Sequence, residues 1–131
     1  MSDSFGPEDA RPFIAVPGPD ADKYSRGVVG FVTGSARYPG AAVLGVEAAL
    51  HTGVGMVRYL GAGRPTRLVL QRRPEAVTAA GRVQAWVLGS GQDATELDDA
   101  TRALLDTAFS SGVPCVIDSG ALDLVSVALG P

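Results

Sequence analysis

Three short segments hold the residues whose types and spacing could meet a ligand. The first is Gly34-Ser35-Ala36-Arg37-Tyr38-Pro39-Gly40-Ala41, which joins the apolar run Val28–Thr33 to an alanine-rich stretch. A strand that stops at a glycine, a polar loop and a helix N-terminus leave backbone N–H groups without partners. They also aim the positive end of a helix dipole into the loop. The second segment is Gly89-Ser90-Gly91, at the end of the apolar run Val83–Leu88. Two glycines there permit positive φ and leave main-chain donors open to an anionic or phosphate-bearing group. The third is Asp118, closing the run Pro114–Ile117. A carboxylate at the end of a buried strand must be hydrogen-bonded or used. It would orient a ligand or water, or tie down the loop that follows.

The elements that position these segments are strands alternating with helices. Val28–Thr33 reads as a buried strand, Ala41–Thr52 as a helix capped at Gly53, and Met56–Leu60 as a second strand, giving a right-handed βαβ unit. Leu68-Val69-Leu70 reads as a short strand and Pro74–Val77 as a helical turn. Val83–Leu88 is a third long strand. Thr95 or Asp93 is expected to cap the next helix, whose buried stripe is Leu97, Ala100, Leu104, Leu105, Ala108 and Phe109, ending at Gly112. Pro114–Asp118 is a strand and Ala121–Ala128 a final helix. This alternation predicts an α/β fold: a mostly parallel sheet between two helical layers, with ligands bound beyond the strands' carboxyl ends. The loops after Thr33, Leu88 and Asp118 should converge there.

Residues 1–22, with five acidic residues and four prolines, read as a mobile N-terminal segment with a short docked stretch at Phe13–Val16. Residues 23–131 form one domain, large enough for a hydrophobic core. The net charge of −3 and dispersed basic residues offer nothing to nucleic acid. No apolar run approaches the about 20 residues that span a bilayer. The acidic N-terminus is no secretory signal, and the single cysteine, Cys115, forms no internal disulfide, so a cytoplasmic protein is expected. Several polar or reactive residues have ordinary readings. His51 suits a helix C-terminus, Cys115 and Trp86 suit packing, and Lys23, Arg26 and Gly27 suit a solvated approach to the first strand. No metal constellation is evident, and the glycine spacing is neither a dinucleotide fingerprint nor a Walker loop.

Gly34-Ser35, Tyr38-Pro39-Gly40-Ala41-Ala42-Val43-Leu44, Ala48-Ala49-Leu50 and Gly53-Val54-Gly55-Met56-Val57 resemble the opening of the ADP-dependent (S)-NAD(P)H-hydrate dehydratases, repair enzymes of ribokinase-like fold. Ala85–Gly91 resembles that family's strand ending in Gly-Pro-Gly, and Val113–Leu122 its strand ending in Asp-Ala-Asp-Ala-Leu. The likeness covers roughly residues 23–125 and about the first half of the family's domain. It implies a three-layer αβα, ribokinase-like partial domain in which Ala41 and Gly91 contact NAD(P)H hydrate, with Gly40, Gly89 and Asp118 as further candidate binding residues. It also implies a lyase reaction in which water leaves the hydrated nicotinamide ring at the expense of ADP or ATP with Mg²⁺. The family's His-Pro-Gly, Lys-Gly-x-x-Thr and Asn/Ser-Gly-Asp motifs, the last holding the proposed catalytic aspartate, do not occur in residues 1–131. No catalytic residue is therefore assigned to this chain.

The chain departs from the family's pattern at Gln92-Asp93, where Leu-Gly is usual, at Ser119-Gly120, where Ala-Asp is usual, and at Asp123 in place of Asn. Two alternatives stay open at this level: a ribokinase-like kinase of a small sugar or vitamin precursor, and a catalytically inactive nucleotide-binding or assembly domain. Half a sheet exposes an edge, so a homo-oligomer or a place in a larger protein is expected.

Overall fold

The computed structural model describes residues 3–14 and 16–129, with side-chain surroundings as far as residue 125. Strands β1 (Val28–Val32), β2 (Met56–Tyr59), β3 (Ala85–Leu88) and β4 (Cys115–Ile117) form one sheet in the order β2-β1-β3-β4. Every neighbouring pair is parallel. Helices α3 (Gly40–Leu50) and α4 (Gly63–Arg72) cover one face, while α5 (Asp99–Ser110) and α6 (Leu122–Leu129) cover the other. Two single-turn helices, α1 (Pro7–Ala10) and α2 (Lys23–Arg26), precede β1.

Strand alternation builds two cores, because successive side chains point to opposite faces. Phe31, Val57 and Tyr59 pack with Ala42 and Val46 of α3 and Val69 of α4. Val32, Trp86 and Leu88 pack with Leu105 and Ala108 of α5. Trp86 is a packing residue, as expected: its ring lies where a β-carbon on Gly30, its partner across the β1–β3 ladder, would sit.

Four local readings are corrected. Leu68–Leu70 belongs to α4, not to a strand. A short apolar run does not by itself distinguish strand from helix, and here Val69 faces the core while Arg64, Arg67 and Arg72 are exposed. Pro65 sits in the helix's first turn, where a missing N–H has no helical partner to lose. Residues 74–77 make a turn whose Val77 bonds Val57 and Tyr59 and covers the outer edge of β2. Helix α5 starts later than expected, with Asp98 as its cap, and Ala100 is exposed instead of buried. Finally, Phe13, Ile14 and Val16 are exposed, so no docked stretch forms there, and Ala15 lies outside the described residues.

The outer edge of β4 is open, with Val116 64% exposed. Among the described residues no helix is long and apolar enough to cross a membrane.

Candidate functional site

The order β2-β1-β3-β4 sends the chain from β1 to one side and brings β3 back on the other. The carboxyl ends of β1 and β3 are then neighbours whose connections leave to opposite faces, the switch point at which open parallel sheets bind ligands. Val32 pairs with Leu88, and the ladder continues as Gly89 N–H donates to Val32 O at 2.9 Å. One step further, Gly34 N–H donates to Ser90 O at 2.6 Å.

The loops expected to converge do so through their smallest residues. Gly91, at φ +72°, lies where a β-carbon would come 2.5 Å from Ala41 Cβ and 3.0 Å from Tyr38 O. Gly89, at φ +96°, is pressed in the same way against Asp118 O and Ala121. Main chain at these two positions meets the neighbouring loops, whereas Gly40 has open space beside it.

Helix α3 begins without a side-chain cap. Pro39 precedes it, and Pro39 O accepts from Ala42 and Val43 N–H. The N–H groups of Gly40 and Ala41 belong to the first turn and have no partner within the helix, so they and the dipole's positive end face the loop. Ser35 Oγ, accepting from Tyr38 N–H at 3.0 Å, and Arg64, donating to Ala36 O at 3.0 Å, hold that loop in shape.

Two clefts open on this edge. One of about 370 Å³ lies among Tyr38, Ala94, Thr95, Ser119, Gly120 and Asp123. The other, about 230 Å³, runs from Gly34–Arg37 and Ala62 to the start of α5, where Asp93, Glu96, Asp98 and Thr101 form its wall. Gln92 borders both. The smaller cleft is acidic: Arg37 is its only cation and is already paired with Glu96 at 3.0 Å. The backbone N–H groups of Thr95 and Thr101 hold the carboxyls of Asp93 and Asp98 below the usual carboxylate range. Asp93 thus closes a local turn with Thr95 and does not cap α5.

Asp118 is exposed, not buried, because β4 is an edge strand, and Ser90 Oγ donates to it at 3.3 Å. Of the two readings given for it, loop fastening has the visible partner. Next to it Ser119 takes φ +42°, an uncommon conformation for a side-chain-bearing residue.

Sequence reasoning did not reach the supports beneath the loops. Tyr59, fully buried, donates its hydroxyl proton to Thr33 O at 2.5 Å, and burial pushes its pKa well up, so it remains a donor. Gln92 Nε2 donates to Gly34 O at 3.3 Å. Residues with ordinary readings sit elsewhere. His51 ends α3 with Nδ1 2.9 Å from Glu47 O, and Cys115 is half-buried in β4 with its thiol pushed up by burial. Lys23 and Arg26 lie in α2, which leads into the sheet's opposite edge. Among the described residues no group of three His, Cys, Asp or Glu could hold a metal ion.

Solved structures with this arrangement define the class. An ADP/ATP-dependent NAD(P)H-hydrate dehydratase from Bacillus subtilis, co-crystallised with ATP/Mg²⁺, superposes with a TM-score of 0.75 at 21% identity, covering 90% of this chain and 46% of that one. A ribokinase-like superfamily protein from Enterococcus faecalis gives 0.72 at 21% identity, over 89% and 45%. The fold is ribokinase-like. The family's own sequence model, described as NAD(P)H-hydrate dehydratase, matches residues 29–129, and the chain belongs to that family.

Among its relatives is the bifunctional NAD(P)H-hydrate repair enzyme Nnr of Corynebacterium glutamicum, 46% identical over 85% of this chain and 19% of that protein. The ADP-dependent (S)-NAD(P)H-hydrate dehydratase of Xanthomonas campestris is 34% identical over 82% and 43%. The chain thus spans less than half the length of either.

Proposed function

We propose that this chain forms the substrate-side half of an ADP-dependent NAD(P)H-hydrate dehydratase, a lyase that restores hydrated nicotinamide nucleotides by removing water. The observation that supports it most is the uncapped start of α3 at Gly40-Ala41, seated against Gly91 at the switch point, in a chain whose family match runs from residue 29 to 129. First-turn N–H groups suit the nucleotide's anionic portion, and the clefts on either side suit its uncharged parts. Gly40 and Ala41 supply donors, Gly89 and Gly91 let the loops close up, and Asp118 fastens the β3 and β4 loops through Ser90. ADP or ATP with Mg²⁺, and the group that moves the proton, we assign to sequence that the relatives possess and these residues do not match. Bound there, the nucleotide would supply the phosphoryl chemistry that drives dehydration.

A thermal-shift panel tests the reading. Hydrated NADH or NADPH should raise the melting temperature of the chain in a concentration-dependent way, while ribose and other simple sugars should not. Stabilisation by sugars alone would favour the kinase alternative. No response to any nucleotide would overturn nucleotide binding.

A further inference from the structure

Gln92 stands where the family's pattern has an apolar residue, and its surroundings show an incomplete hydrogen-bond set. The residue is only 9% exposed, and its Nε2 donates to Gly34 O just past the end of β1. Its Oε1 is buried and has no partner. Exchanging the amide's oxygen and nitrogen does not help, since oxygen would then face the Gly34 carbonyl. A buried acceptor left without a donor is costly, and leucine at this position would carry no such acceptor. Backbone atoms of Gln92 pack against Gly120, so the residue is fixed at its root while its amide reaches toward Gly34 beside the smaller cleft.

The cleft limits what could satisfy that oxygen. Asp93, Glu96 and Asp98 make it acidic, and the one arginine is paired. These three carboxylates disfavour a phosphate beside them and leave room for an uncharged group bearing N–H or O–H. We infer that Gln92 is a specificity-determining residue whose Oε1 accepts a hydrogen bond, directly or through one ordered water, from an uncharged N–H or O–H donor on the ligand. The inference rests on the nicotinamide-nucleotide reading above. In such a ligand the donor is the ring carboxamide, the adenine amino group, or a hydroxyl of a ribose or of the hydrated ring. The phosphates then lie toward the start of α3 instead of toward α5.

Calorimetric titration of the full chain with hydrated NADPH, and with its deamido counterpart carrying a carboxylate for the carboxamide, tests this in the wild type and in Gln92→Leu. One ligand hydrogen bond lost corresponds to weakening of about tenfold in the variant. Its melting temperature without ligand should shift little, because leucine removes the orphaned oxygen and also the Nε2 donor to Gly34 O. If the variant's defect vanishes with the deamido ligand, the carboxamide is the donor; if it persists, a hydroxyl or the adenine amino group is. Equal affinity of wild type and Gln92→Leu for hydrated NADPH would overturn the role of Gln92 and leave the nucleotide reading standing. A wild-type chain that binds neither ligand would overturn both. Should the leucine variant melt early, Gln92→Met, unbranched like glutamine, repeats the comparison.

Discussion

The two ends of α3 are held by opposite means. At its C-terminal half the helix is fastened by side chains: Glu47 receives Arg73, just past α4, at 2.5 and 2.7 Å and Arg72, the last residue of α4, at 3.5 Å, above a core of Val46, Val57 and Val69. At its N-terminus no side chain caps it, and it is seated by the near absence of side chains, Ala41 against Gly91 and Ala42 against Gly34. The first arrangement pairs both oxygens of the Glu47 carboxylate with arginine. The second leaves donors at Gly40 and Ala41 without helical partners, open space beside Gly40, and a buried acceptor on Gln92 unpaired. On the function proposed above, that contrast separates a region that stabilises the fold from one that receives the ligand.

Adding a methyl group to the bare region should break it most severely. Gly89→Ala meets Asp118 O and Ala121 at a positive φ, and the strain plus overpacking should cost roughly 2–5 kcal/mol in denaturant unfolding. A variant as stable as wild type would mean that the loops are not packed main chain to main chain. Tyr59→Phe should be milder. It removes the donor to Thr33 O beneath the β1 loop without opening a cavity, for a loss of about 1–2 kcal/mol. An unchanged urea midpoint would show that the carbonyl finds another donor.

The smallest effect belongs to the fastened end and to pH. Hydrogen bonds and charge from Arg73 hold the Glu47 carboxyl at about 2, against 4.5 for the free group. A carboxyl that ionises more readily folded than unfolded stabilises fully above the higher value and loses its contribution as pH falls toward the lower. The urea midpoint should therefore drop between those two pH values, and Glu47→Gln should flatten that slope. An identical slope in the variant would assign the acid sensitivity to other carboxyls. Salt should weaken the effect, since the pair is partly exposed.

Much of this contrast was legible beforehand. Glycines bounding the runs at Val28, Val83 and Pro114 marked the strands and the converging loops, because a buried parallel strand is a nearly continuous apolar run. Helix α4 was not legible, since Leu68-Val69-Leu70 fits either period and only its contact with α3 decides. Asp118 read as buried because sequence does not reveal that β4 is an edge. Gln92 stood out only as a departure from the family pattern, as its partner Gly34 lies 58 residues away.

The sharpest single measurement is amide chemical-shift mapping of the chain as hydrated NADPH is added. Resonances of Gly40, Ala41 and Gly91 should move in a saturable way, while those around Glu47 and Arg73 stay in place. Saturable shifts confined to the α3–α4 face, with Gly40 and Ala41 unmoved, would contradict the assignment of the ligand to the uncapped end of α3.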